Sequence, residues 1–268
     1  MINSSCALFI VSCETNQQVV NLLIKSMRQQ ISHTVSIYVS SDGPLLITDP
    51  SVRVLIGQEE IFGDRVATTL AQVTEERVIV FCDDFIVEKP AKIEELEGLL
   101  SLMEDDPSIA SIALSQISGG NTSERIAEHY IRRTQYAPYK TTLQCAIWKK
   151  SSLIQLMKGS PSPWEFEIYH NFKTYLTKEK FYALEDDRFQ PIPYNRGKLI
   201  IRGKVVKPEK ERLEELLGYS LDLSDFPETE SFVQGANLTV SYRLKRKIKL
   251  LAKEIIYRLK SKIKNKKE

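Results

Sequence analysis

The sequence predicts an α/β protein, a mixed β-sheet flanked by helices, with a basic amphipathic helix at its C-terminal end. Strand-like and helix-like patterns alternate through the first third of the chain, and Val78-Ile79-Val80-Phe81 is an unbroken β-branched and aromatic run. After Val240, apolar residues recur at intervals of three or four among lysines and arginines. The unbroken run reads as a central parallel strand buried on both faces, and the three-to-four spacing as a helix with one apolar face.

Taken in order, Ala7 to Val11 is a short buried strand. The spacing of Val19, Val20, Leu22, Leu23, Ile24 and Met27 predicts an amphipathic helix from about Gln17 to Gln30, with Ser12 to Asn16 as candidate caps. Val35 to Val39 alternates with period two and ends at Ser40-Ser41-Asp42-Gly43-Pro44. A third strand is expected near Val52 to Leu55, a helix over Phe62 to Thr74, and a fourth strand over Val78 to Phe81, which together make an α/β half-domain. A helix from about Ala91 to Met103 opens after Pro90 and stops at Asp105-Asp106-Pro107, and Ile109 to Leu114 is the next strand. Ser118-Gly119-Gly120-Asn121 reads as a turn, and Thr122 to Lys140 as an excursion over a site. Leu143 to Trp148 is a strand, Ser151 to Lys158 and Trp164 to Leu176 are helices, and strands return around Phe181 to Leu184 and Lys198 to Val206.

Composition narrows the class. With 268 residues, 42% of them apolar and 27% charged, the chain can bury a substantial core, and disordered and fibrous types are excluded. No apolar run reaches the ~18 residues of a membrane-spanning helix, and the start Met1-Ile2-Asn3-Ser4-Ser5 lacks the positive charge of a secretory signal, so a cytoplasmic protein is expected. Cys6, Cys13, Cys82 and Cys145 are irregularly spaced with no C-x-x-C pair, which favours reduced, buried thiols over disulfides or a zinc knuckle. His33, His129 and His170 are isolated, leaving no zinc-hydrolase pattern. The net charge of +2 conceals an asymmetry: residues 1–242 carry 25 bases and 33 acids, whereas residues 243–268 carry 12 bases and 2 acids.

In an open α/β sheet, ligands collect outside the carboxyl ends of the strands. Cys82-Asp83-Asp84 falls there, directly after the fourth strand. Adjacent carboxylates repel each other, and a divalent cation carrying a diphosphate would relieve them. The competing reading is a cap on the turn beyond. Asp42 follows the second strand at the same sheet edge, within reach of a nucleotide base or ribose, or else it forms an ordinary Asx-turn before Gly43.

These stretches, with Phe62-Gly63-Asp64-Arg65 entering a helix, resemble the donor half of nucleotide-sugar glycosyltransferases of the GT-A type, whose fold is a GT-A-like (Rossmann-like) mixed sheet flanked by helices. Leu143 to Lys150, Ser162-Pro163-Trp164-Glu165-Phe166-Glu167 and Ile200-Ile201-Arg202-Gly203-Lys204 resemble signature stretches of a bacterial group found with capsule and other surface polysaccharide genes. The resemblance spans roughly residues 5 to 210, and Pro163 to Glu167 is its most specific piece.

The resemblance implies that an acid motif at the strand end holds a divalent metal (Mn or Mg) and the donor diphosphate. In this chain the motif is x-D-D where the family has D-x-D, with Asp84 and Asp83 as the metal candidates. Donor contacts are expected from Asp42, Arg65, Asp83, Arg202 and Lys204, with Arg196 and Lys198 as further cations. Either Glu165 or Glu167, at a helix start that keeps a carboxylate ionised, is the expected base, and Trp164 offers a flat face to an acceptor sugar. The implied activity is hexosyltransferase-like and inverting, from a nucleotide-sugar to a lipid-linked glycan in surface polysaccharide synthesis. The alternatives are a sugar nucleotidyltransferase, against which no Gly-rich phosphate loop is found, and a non-catalytic membrane adaptor of the same fold.

Val240, Leu244, Ile248, Leu251, Ile255, Leu259 and Ile263 line one face of the basic tail. Such a helix suits an anionic membrane surface, and so a peripheral position at the inner face of the cell membrane. A packed or oligomerising helix competes with this reading, and a nucleic-acid partner is disfavoured because the body is acidic. The expected organisation is a catalytic domain over residues 1–239 and the tail helix over 240–268. Within the domain the donor half covers about 1–115 and the acceptor half about 116–218, followed by a connecting segment, 219–239.

Overall fold

The computed structural model describes residues 5–117, 124–230, 251–260 and 263. Its principal strands are β1 (Cys6–Val11), β2 (Ile37–Ser41), β3 (Arg53–Ile56), β4 (Arg77–Cys82) and β5 (Ile109–Gln116), followed by β6 (Arg125–Ala127), β7 (Tyr130–Arg132), β8 (Ala146–Lys149) and β9 (Lys180–Leu184). They form one mixed sheet in the order β3-β2-β1-β4-β8-β5-β9-β7-β6. The first four strands of that order are parallel, β8 runs antiparallel between β4 and β5, and β9 is parallel to β5.

The strands read as continuous apolar runs because both faces of the sheet are covered. In β1, Cys6, Leu8 and Ile10 enter one core, while Ala7, Phe9 and Val11 enter the other. Helices α1 (Gln17–Gln30) and α3 (Ile93–Asp105) pack on the first face. On the opposite face lie α2 (Phe62–Leu70), α4 (Lys150–Met157) and α5 (Pro163–Ile168). This is a three-layer α/β architecture, the mixed sheet flanked by helices that the sequence predicts.

Several local expectations are corrected. The expected excursion over 122–140 contributes, in its described part, β6 and β7, which extend the sheet edge; the turn at 118–121 lies outside the described residues. The single helix expected from Trp164 to Leu176 breaks after Ile168, and His170–Leu176 is a 3-10 helix. Buried Asn171 causes the break by accepting from Lys140 N and donating to Ala137 O, which pins this segment to the 137–140 loop. The strand expected over Lys198 to Val206 is a hairpin, β10 (Ile200–Ile201) and β11 (Lys204–Val206), joined by Arg202 and Gly203 at φ +54° and +70°. Two left-handed residues in a row make the tight turn that suits the twist of paired strands.

A helix that the apolar spacing does not announce, α6 (Lys207–Leu217), follows the hairpin and closes on Gly218 at φ +73°. In the segment expected to be a connector, β12 (Glu228–Thr229) pairs with β11 to complete a small second sheet. Residues 251–260 form helix α7, while the rest of the expected tail helix, apart from Ile263, lies outside the described residues. Among the described residues no helix is long and apolar enough to cross a membrane.

From β1 the chain winds outward through β2 and β3, then returns to the other side of β1 as β4. That reversal puts the switch point, where open α/β sheets form their ligand crevice, at the carboxyl ends of β1 and β4. Its wall depends on close packing of α2, where Gly63 N donates to Ser160 O at 2.7 Å. A Cβ at Gly63 would lie 2.0 Å from Met157 O, whereas one at Gly98, in α3, meets nothing within 4 Å. Gly63→Ala is therefore expected to lower stability by about 1–3 kcal/mol and Gly98→Ala to raise it by up to about 1 kcal/mol, both read by urea denaturation.

Candidate functional site

The pairing of Val11 with Cys82 brings the segments after β1 and β4 to the same crevice. Asp83 Oδ2 accepts hydrogen bonds from Ser12 Oγ at 2.7 Å and from Asn16 Nδ2 at 2.8 Å. Asn16 occupies the N-cap position of α1 yet makes no cap bond. The expectation that Ser12 to Asn16 caps the helix is thus corrected, since two of these residues hold the Asp83 carboxylate. Burial pushes the Asp83 pKa up, and the two donors pull against it.

Asp84 is pushed up to about 7, chiefly by burial and then by the Asp83 charge, with its own backbone N–H working the other way. The loop at 195–197 passes over it. A Cβ at Gly197, whose φ is +68°, would lie 3.1 Å from Asp84 Oδ2, so a glycine permits both the backbone conformation and the approach. Next to Gly197, Arg196 pairs with Asp187.

At the end of β2, Asp42 Oδ1 accepts from Glu14 N at 2.8 Å, and Arg65 Nη2 from α2 stands 3.9 Å from Asp42 Oδ2. Asp42 and Arg65 therefore meet at the sheet edge where Asp83 and Asp84 emerge. Gly43 lets the β1 and β2 ends close on each other, because a Cβ there would overlap the Glu14 carboxylate at 1.9 Å.

Glu167 reaches the crevice from α5. Pro163 opens that helix, and Ser162 caps it by accepting from Glu165 N at 3.2 Å. Glu167 Oε1 accepts from Leu143 N at 2.9 Å and Thr142 Oγ1 at 3.4 Å. Leu143 leads into β8, beside β4, and its carbonyl accepts from Cys82 Sγ at 3.7 Å. After burial, Asp84, Asp83 and Glu167 all add to the rise in the Cys82 thiol pKa, so the three carboxylates surround the end of β4. Burial also raises the pKa of Glu167.

The other expected site residues lie elsewhere. Trp164 is 71% exposed, and Glu165 sits in the first turn of α5. Arg202 and Lys204 are exposed, Arg202 in the two-residue turn and Lys204 at the start of β11. Ser12, Asn16, Thr142 and Gly197 are site residues that the sequence does not announce. The signal for the first two is their place immediately after a buried strand, where a hydroxyl and an amide can serve a neighbouring carboxylate as readily as a helix end.

Among the described residues, no group of three or more His, Cys, Asp or Glu side chains is arranged to hold a metal ion. The donor set still suits a cation. Asp84 is a half-buried carboxyl whose pKa is pushed up first by burial and then by the charge beside it, and a divalent ion on Asp83 and Asp84 would offset that penalty.

No protein-family model and no curated protein matches the sequence. Among solved structures, the chain is similar to S. aureus TarS 1–349, with TM-score 0.41 and 13% identity over 67% of this chain and 60% of that one. It is similar to the bifunctional IspDF from Campylobacter jejuni, with TM-score 0.41 and 10% identity over 73% and 53%. CMP:2-keto-3-deoxy-manno-octonic acid synthetase complexed with CTP gives TM-score 0.40 and 13% identity over 68% and 88%. The chain thus spans about 60% of the length of TarS 1–349.

The Asp84 shift has a sign that can be checked. Between its ordinary 3.8 and about 7 the unfolded chain has lost the proton that the folded protein retains. The stability contributed by neutral Asp84 is complete below pH 3.8 and lost as the pH rises to about 7. In metal-free buffer, Asp84→Asn should melt above the wild type at about pH 8, by up to about 4 kcal/mol in stability, with the gap closing below about pH 4. Calorimetric melting curves across this range provide the check.

Proposed function

We propose that the protein is a glycosyltransferase that moves a sugar from a nucleotide-sugar donor to a hydroxyl of a lipid-linked glycan. The observation that supports this most is the half-buried acid pair at the switch point, with Asp83 fixed by Ser12 and Asn16 and the Asp84 pKa pushed up to about 7 by burial and then by that neighbour. An activated diphosphate with its counter-ion is the ligand chemistry that suits such a pair in that position. A divalent cation, Mn or Mg, on Asp83 and Asp84 would neutralise charge on the leaving diphosphate.

In this reading the Asp42 and Arg65 edge orients the nucleoside. Glu167 takes the proton from the acceptor hydroxyl, with its carboxylate oriented by Leu143 N and Thr142 Oγ1. It is preferred over Glu165 because its carboxylate is held by two donors next to the end of β4 and its pKa is raised by burial. A raised pKa brings a carboxylate nearer the operating pH, which favours proton transfer. In this reading Trp164, exposed on the same helix, offers its face to an acceptor ring.

A panel of nucleotide-sugars, with and without manganese, is expected to contain one donor that raises the melting temperature, and Asp84→Asn should abolish that shift without loss of folding. Glu167→Gln should lower kcat by about 10²- to 10⁴-fold while leaving the donor KM nearly unchanged. The released product distinguishes the chemistry: a glycosyltransferase liberates the nucleotide of its donor, whereas a nucleotidyltransferase consumes a nucleoside triphosphate and liberates pyrophosphate.

The membrane part of the proposal is supported by α7. Its inner side rests on the body, with Lys253 Nζ 4.3 Å from the Tyr169 ring, the Arg258 guanidinium 4.6 Å from the Tyr136 ring, and Tyr257 against Phe172. Leu251, Ile255, Ile256, Leu259 and Ile263 remain exposed. An apolar face on a strongly basic segment suits the interface of an anionic bilayer. Sedimentation with phosphatidylglycerol vesicles should carry down the wild type, and the double substitution Ile255→Glu with Leu259→Glu should reduce the bound fraction at least tenfold.

A further inference from the structure

A second cavity, of about 530 Å³, lies against β7, β9 and the 3-10 helix at His170–Leu176. Two strands, β8 and β5, separate β9 from β4 and its acid pair. The volume falls within the roughly 300–1,000 Å³ of small-ligand sites. Four cations line the cavity: Lys140, Arg132, Arg133 and Lys178. Lys140 and Arg133 are only 5% and 6% exposed.

Both carboxylates in the wall are engaged, and Glu124 neutralises one of the four cations. Glu124 takes Arg132 Nη1 on both oxygens, at 2.8 and 2.7 Å. Glu179 accepts from Ser152 Oγ and lies 3.9 Å from Lys149 Nζ, so part of its charge is turned to α4 and the end of β8. Among the described residues no carboxylate is within ion-pair distance of Lys140, whose ammonium donates to Gln135 O at 2.6 Å. The ammonium stands 5.1 Å from the Phe181 ring centroid and 5.4 Å from that of Tyr175. One carbonyl leaves two of its three N–H donors for the cavity.

Arg133 is clamped by donating to Ile117 O at 2.9 Å and Pro138 O at 3.0 Å, which fixes its charge beside the same space. Burial, then the charges of Arg133 and Arg132, bring Lys140 down to about 7. Burying an ammonium without a counter-charge is costly, and an anion in the cavity would offset that cost. Thr174 and Thr177 add hydroxyls to the wall.

We infer that this cavity is a binding site for a phosphate group, with Lys140 as its central contact, Arg133 as the flanking charge and Lys178 at the rim. The site is independent of the donor assignment at Asp83 and Asp84. The phosphate belongs either to a soluble molecule or to the headgroup of a lipid. A lipid source is sterically reasonable, because the 3-10 helix that lines the cavity with Thr174 also supplies Phe172 to the contact with Tyr257 of α7.

The test is calorimetric titration of the full chain with inorganic pyrophosphate in metal-free buffer, beside flotation with phosphatidylcholine vesicles containing phosphatidic acid. Binding of either probe by the wild type, weakened at least tenfold in Lys140→Met and at least threefold in the exposed-rim variant Lys178→Glu, supports the site. Pyrophosphate alone assigns a soluble ligand, and vesicles alone assign a lipid headgroup. Asp84→Asn should bind as the wild type does, which separates this site from the donor crevice. Equal affinity in wild type, Lys140→Met and Lys178→Glu would place the anion on the basic tail, and loss of binding in Asp84→Asn would place it in the crevice. Either result, or no binding of both probes, overturns the inference.

Discussion

Two adjacent aspartates cannot stand ionised at the buried end of a central strand unless donors or a counter-charge meet them. The structure meets one with Ser12 and Asn16 and leaves the other, Asp84, near neutrality. Much of the surrounding architecture follows from this inequality. The first turn after β1 gives up an N-cap to supply the amide, and a glycine at 197 lets the covering loop approach the second carboxyl. A carboxyl pair of which one member is short of donors is what a cationic or metal-carrying ligand would use.

The sheet makes that inequality rigid. β1 and β4 contribute to both cores, so their ends have little freedom to shift, and the reversal of strand order opens the crevice between them. Glu167 joins them through a different route. The short capped helix α5 presents it to the backbone just before β8, and β8 is the antiparallel strand laid beside β4. The acid pair and Glu167 thus come from elements about eighty residues apart, joined by a single strand pairing. The cationic cavity at the other side of the sheet reverses the electrostatic theme. There, buried Lys140 has no carboxylate within ion-pair distance among the described residues, and the two regions suit ligands of opposite sign.

Local pattern is enough for most of the core. The unbroken apolar strands, the helix from Gln17 to Gln30 and the acid pair after β4 are legible because each depends on periodicity or on a strand end. The hairpin at Ile200 to Val206 is less legible, since Arg202-Gly203 looks like a brief interruption in an apolar strand until both residues adopt positive φ. The break after Ile168 is illegible for another reason. It arises from Asn171 bonding to residues 137 and 140, a contact more than thirty positions away.

The amino-acid order by itself determined which segments bury both faces, where the acids stand relative to strand ends, and that the C-terminal stretch is basic and amphipathic, because these are properties of neighbours along the chain. Tertiary structure alone decided that Ser12 and Asn16 serve Asp83 and not α1, that Glu167 and not Glu165 turns towards Cys82, and that Lys140 is buried beside Arg133. Each of these depends on which distant backbone or charge shares a low-dielectric space. Such partners are set by strand order and packing, which no local window contains.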